Sequence, residues 1–252
     1  MIAGALVVGA LYVRAIATRP AGEPVDWLRA ASFASGALLI LFALISPLDS
    51  AAERLLSLHM VQHVALTTLG PPLVLLGLPP PALRRFLRRP LLGRAYALLT
   101  LPFLAASLFI ASMWLWHAPP VYEAALTRVP FHVAMHLSFI AAGLVFWLAA
   151  IQPLPERASI GEGGRMLYLF ASVFPMGLLA LLILASQTVV YDFYDSESPL
   201  WGVSPLADQQ IAGVVMGSLG HLATGVALTI LFFRVLGRDE AAAPRPRPAG
   251  SP

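Results

Sequence analysis

A chain of 252 residues that is 58% hydrophobic and 12% charged, with a mean hydropathy of +0.79, carries about half the charge of a soluble domain, in which roughly a quarter of the residues are ionisable. So few charges cannot coat a water-soluble globule of this length, and the same numbers exclude disorder, collagen and coiled coil, which leaves an integral membrane protein. The chain has no cysteine and no lysine, so disulfides, thiolate metal sites and iron–sulfur clusters are excluded, and the net charge of +3 rests on 16 arginines, whose placement in loops accounts for it without a nucleic-acid partner.

Seven apolar segments follow in order, at residues 2–17, 30–45, 58–78, 95–116, 131–151, 166–186 and 209–233. Most approach the ~20 residues that cross a bilayer as a helix, and the first two are the shortest. None alternates with period two over ten residues, which speaks against a membrane β-barrel. Prolines punctuate the connections: Pro20 and Pro24, Pro47, Pro79 to Pro81, Pro119 and Pro120, Pro153 and Pro155, Pro199 and Pro205. Pro71, Pro72, Pro102 and Pro175 fall within spans, where neighbouring helices must take up the freed carbonyls. The expected fold is an all-α bundle of seven transmembrane helices over residues 1–238. A disordered tail follows at residues 239–252, where AAAPRPRPAGSP has no apolar content to pack.

Arginine orients the bundle. The first, third and fifth connections together with the tail hold fourteen arginines; the second, fourth and sixth hold only Arg54 and Arg128. Cytoplasmic loops collect positive charge, so the N-terminus is expected outside and the C-terminus inside. No basic residue precedes the first apolar run, unlike a cleaved signal peptide. Trp114, Trp116 and Trp201 are expected at the outer interface, and Trp27 and Trp147 at the inner one. The acidic connection with Asp192, Asp195 and Glu197 reads as a solvated outer loop.

On this topology five of the six histidines converge at one depth, near the outer surface. His59 and His63 open the third span, His117 closes the fourth, and His132 and His136 open the fifth. Each HxxxH pair places two imidazoles one helical turn apart on one face, where they can share a metal. Met60 adds a thioether suited to Cu(I), and Asp208, at the outer start of the seventh span, is a candidate ligand or a partner that orients one. A lone interfacial histidine is more often an anchor or packing residue; it is the coincidence of five at one level that points to a metal centre. His221 lies too deep for that centre and reads as a packing or interhelical hydrogen-bonding residue. Met113, Met135, Met176 and Met216 read as gap fillers, with Met216 placed where a path inward could run. No P-loop, nucleophile elbow or dinucleotide fingerprint is present, so the protein is expected not to be an enzyme.

The segment ISPLDSAAERLLSLHMVQHVALTTLGPPLVLLGLP, with WLWHAPPVYEAAL, HVAMHLSFIAAGLVFW and SPLADQQIAGVVMG, resembles the multispan CtaG family, assembly factors of caa-type cytochrome c oxidases. The HMxQH element falls on His59, Met60, Gln62 and His63, WHxP on His117, the second pair on His132 and His136, and DQ on Asp208 and Gln209. Where the family often has an acidic residue before its second paired histidine, this chain has Met135. The resemblance implies a multi-pass protein of the bacterial plasma membrane that serves assembly of a terminal oxidase by helping copper reach it. Its expected partners are terminal oxidase subunits, other copper carriers and the lipid bilayer, with no nucleic acid. Copper is the expected metal, and zinc is the alternative that imidazoles also admit. Three competing readings are a haem-binding cytochrome, a di-iron hydroxylase and a metal-free scaffold for oxidase assembly. Haem usually draws one ligand from each helix, and di-iron sites of this kind need about eight histidines.

Overall fold

The computed structural model describes residues 2–18, 24–196 and 200–242. Expected features at Arg19, Pro20, Glu197, Pro199, Arg245, Arg247 and residues 243–252 lie outside these. Among the described residues the fold is helical, with no strand. The helices are α1 (Ile2–Ala17), α2 (Trp27–Ile45), α3 (Pro47–Ala52), α4 (Leu56–Gly77), α5 (Pro80–Phe86) and α6 (Pro90–Leu99). They continue as α7 (Pro102–His117), α8 (Pro119–Thr127), α9 (Val129–Ile151), α10 (Glu162–Ala185), α11 (Asp192–Ser196) and α12 (Pro205–Ala242).

Each expected span contains helix, and the described residues support five to six crossings of the expected seven. Among the described residues five helices are long and apolar enough to cross a membrane: α2, α4, α9, α10 and α12. A sixth appears if α6 and α7, bent by 73° at their junction, count as one broken span. The cause is Pro102. It cannot donate to the preceding turn and disfavours helix at Leu101, so it starts α7 instead of continuing α6. The hydroxyl of Thr100 donates back to the Tyr96 carbonyl at 2.9 Å and closes the end of α6. Helix α1 keeps the expected bounds, but its 16 residues reach only ~24 Å, short of the ~30 Å hydrocarbon core. Helix α12 runs to Ala242, beyond the expected boundary at 238.

The distribution of polarity is that of a protein in lipid. Large apolar side chains face outward, with Leu28 86% and Phe103 85% exposed, while His59, Gln62, His63, His136, Asp208 and Gln209 are buried. Trp147, expected at the inner interface, is instead 3% exposed. It lies eleven positions, about three turns, from His136, and so faces the interior as His136 does.

The bundle has two chemically distinct ends. At one, arginines tie the odd-numbered connections and the last helix together: Arg84 pairs with Glu156 at 2.7 Å and Arg238 with Glu162 at 2.9 Å. Arg29 donates to the Leu76 carbonyl at 3.0 Å at the end of α4, and Arg165 to the Ile151 carbonyl at 3.0 Å at the end of α9, placing cations where helix dipoles are negative. The even-numbered connections gather at the opposite end, with the five clustered histidines.

Candidate metal centre

Helix α4 begins without help from its own sequence. Leu55 occupies the N-cap position and offers no side-chain acceptor, so the first amides need a partner from elsewhere. Asp208 of α12 supplies it, accepting from the Leu56 amide at 2.6 Å and the Ser57 amide at 3.2 Å. Its neighbour Gln209 accepts from the Val190 amide at 2.7 Å and donates to the Thr188 carbonyl at 3.0 Å, clamping the preceding connection. Asp208 is thereby engaged at the helix start and is not among the groups that meet at the histidines.

Helix α4 then departs from regular α geometry directly after His63. Residues Ala65–Leu69 form a π-helical turn, an arrangement frequent at functional sites. Pro71 lacks the amide that would bond the Thr67 carbonyl, and α9 comes against that carbonyl at Gly143. A Cβ at position 143 would lie 2.6 Å from Thr67 O. Absence of a side chain there lets α9 lie against α4, which brings the two HxxxH pairs face to face.

The pairs interlock. Ring centroids lie 4.3 Å apart for His59 and His63, 4.4 Å for His132 and His136, 5.6 Å for His59 and His132, and 5.8 Å for His63 and His136. His59, His63 and His136 each offer a ring nitrogen such that all three lie within 4.8 Å of one another. His117 stands 5.7 Å from His63 on one flank, and His132, half-buried, borders the triad on the other, close to Asp49 and Glu53. Met60 is buried but lines a cavity beneath the triad.

Hydrogen bonds set the ring tautomers. The His117 Nδ1 lies 2.7 Å from the Met113 carbonyl, which only accepts, so Nδ1 carries the proton and Nε2 the lone pair. The Tyr194 hydroxyl donates to the Ala52 carbonyl at 3.0 Å and lies 2.8 Å from His59 Nδ1, which therefore donates to the phenol oxygen and leaves its lone pair on Nε2. Five buried ring nitrogens have no protein partner: Nε2 of His59, His117 and His136, and both nitrogens of His63. Each such orphan costs roughly 1–3 kcal/mol when left unmet. A cation accepting several lone pairs at once is the group that fits this set. Three neutral imidazoles suit copper or zinc and leave out hard cations that demand oxygen.

Tyrosines, which no sequence motif singled out, close the histidine end. Tyr122 of α8 is fully buried, 5.4 Å from the His59 ring and 4.3 Å from that of Tyr191, and its hydroxyl finds no partner of ordinary geometry, although Tyr194 is nearby. Tyr191 donates to the His117 carbonyl at 2.9 Å. Burial pushes the phenols of Tyr122, Tyr191 and Tyr194 up from their ordinary value, so they stay neutral, and Tyr191 and Tyr194 donate hydrogen bonds. The loop read as merely solvated is therefore partly a lid. Asp192 and Asp195 are exposed, and Tyr191 and Tyr194 point inward. The only sequence signal was the placement of aromatics in YDFYD beside acids. Gln62 is a further buried participant, donating to the Ala43 carbonyl at 2.6 Å and to Asp49 at 2.7 Å.

Residues 10–238 match the family described as cytochrome c oxidase caa3 assembly factor. Similar curated proteins are an uncharacterised protein of Mycobacterium bovis, 28% identical over 243 residues, and one of Mycobacterium leprae, 26% identical over 267. These alignments cover 90% and 96% of the chain but 36% and 40% of the relatives, so it spans little more than a third of their length. No solved structure matches the chain.

Proposed function

The chain belongs to the cytochrome c oxidase caa3 assembly factor family, and from that premise we propose that it binds copper at the histidine end of its bundle, on the outer face of the bacterial plasma membrane, and passes it to a terminal oxidase. The observation that carries this reading is the triad of His59, His63 and His136, with ring nitrogens within 4.8 Å of one another and buried lone pairs that no protein group meets. Assembly factors are not a catalytic class, and copper is here cargo. His59 and His117 have their tautomers preset by Tyr194 and the Met113 carbonyl, so an incoming ion meets lone pairs already aimed. Tyr122, Tyr191 and Tyr194 shield the ion from above, and Asp49 and Glu53 beside His132 give the approach a negative potential that favours a cation. Delivery to oxidase subunits, and receipt from other copper carriers, follow as the partners of such a handover.

The convergence of three ring nitrogens within 4.8 Å supports an ion over haem, whose iron takes at most two axial imidazoles. The test is metal analysis of the purified protein beside oxidase maturation in cells. His136→Ala should lose copper at this end and stop maturation while the protein still inserts; His221→Ala should keep that copper. Copper retention unchanged by both His59→Ala and His136→Ala would overturn the reading.

A further inference from the structure

Beneath the triad lies a cavity of about 60 Å³. A water needs roughly 10–15 Å³ on this measure, so the space holds an ion or a few waters. Four methionines line it, each from a different helix: Met60 of α4, Met113 of α7, Met176 of α10 and Met216 of α12. Methionine usually fills gaps, yet here four of them surround space that stays open. Three imidazoles share the lining: His63 and His117 at the triad side and His221 of α12 at the other. His221 Nε2 lies 3.2 Å from the Val173 carbonyl, so it is the protonated nitrogen and Nδ1 keeps the lone pair. The buried Nε1 of Trp147 also borders the cavity without a partner. Among the described residues no carboxylate and no arginine lines it.

We propose that this cavity is a second metal site, selective for a soft monovalent cation of the Cu(I) class and reached from the histidine triad through His63. The inference rests on the proposed copper role of the triad, but its own ligands are the methionines and His221, with His63 shared between the two places. Thioethers select soft ions, and a pocket with no anionic wall favours one charge over two because burial cost rises with charge. His63 borders both places, and neither of its nitrogens is held by a hydrogen bond, so either can carry the lone pair. An ion can thus exchange between an outer, all-imidazole site and an inner, thioether-rich one with no change of oxidation state.

The test uses the full chain, purified in detergent and titrated with Ag(I), which is soft, monovalent and redox-inert. Wild type should bind one equivalent more than the double variant Met176→Leu/Met216→Leu, and X-ray absorption at the silver edge should show sulfur neighbours that the variant loses. Leucine conserves volume, so the fold should survive. His59→Ala/His136→Ala should lose the outer equivalent and retain the sulfur-bound one. An unchanged stoichiometry in the methionine variant, or wild-type protein loaded with Ag(I) without sulfur neighbours, overturns the proposal. If the methionine variant alone loses metal and the histidine variant loses none, the inner site stands and the triad reading falls; the reverse pattern removes the inner site and leaves the triad.

Discussion

The hydroxyl of Tyr194 is a single atom whose role can be isolated. It accepts from His59 Nδ1 and donates to the Ala52 carbonyl, so Tyr194→Phe would leave the imidazole free to rotate and to change tautomer. Copper affinity is expected to fall by roughly 10–100-fold, the usual cost of removing a partner that orients a metal-binding histidine. Competition titration against a chelator of known affinity would measure it, and an unchanged affinity would show that His59 needs no such support. Asp208 allows a second separation. It sits on the amides of Leu56 and Ser57, so its structural role is to cap α4. The two amides rest on different carboxylate oxygens, so Asp208→Asn keeps one acceptor, turns the other into a donor facing a buried amide and loses the charge that favours a helix N-terminus; it should cost about 1–3 kcal/mol in thermal unfolding while leaving copper bound. Loss of copper in that variant with little change in stability would mark Asp208 as a ligand.

At the level of the helix, the centre depends on how closely α4 and α9 approach. Three features combine: Pro71 withholds an amide from the Thr67 carbonyl, the π-helical turn at Ala65–Leu69 follows His63, and Gly143 admits that carbonyl at short range. Gly143→Leu would force the helices apart, or push Phe139 and His136 off their positions. We expect a loss of about 1–3 kcal/mol in stability, as for other overpacked cores, with copper binding lost along with it although no ligand is changed. Thermal unfolding and metal analysis on the same preparation check both. Retained copper would show that the histidines do not depend on this contact. Pro102 and Pro175 act differently. Pro102 ends one helix and begins another, whereas Pro175 stays inside α10, where neighbours meet nearby carbonyls: Trp114 donates to Pro175 O at 3.2 Å and His221 to Val173 O.

For the molecule as a whole, the arginine end and the histidine end should lie on opposite sides of the membrane. Reporter fusions are expected to place the connection bearing Arg84 to Arg94 in the cytoplasm and the one bearing Asp192 outside, because positive charge is retained on the cytoplasmic side. An Arg84 connection found outside would reverse the bundle and turn the histidine cluster toward the cytoplasm. Little of α12 and α2 is buried within the fold, 11% and 22% of their most apolar windows, as expected of helices that face lipid.

Composition pointed to a membrane protein, since 12% charge cannot solvate a chain of this length, and segment length without a period of two made it helical. Spacing alone put His59 with His63 and His132 with His136, because helical periodicity is a local property that a sequence carries intact. The approach of the two pairs to one another was not local. It depends on which faces α4 and α9 present, and that is decided by packing at Gly143 and the π-helical turn. Tyr194 over His59, and Asp208 on the start of α4, join residues 135 and more than 150 positions apart, where no periodicity operates. The same holds for Trp147, which composition assigns to an interface and the turn of α9 carries into the core. The methionines were visible as seven scattered letters. Only the tertiary structure brought four of them, from four helices, around one open space, because a cavity belongs to the gaps between elements and has no representation in the order of residues.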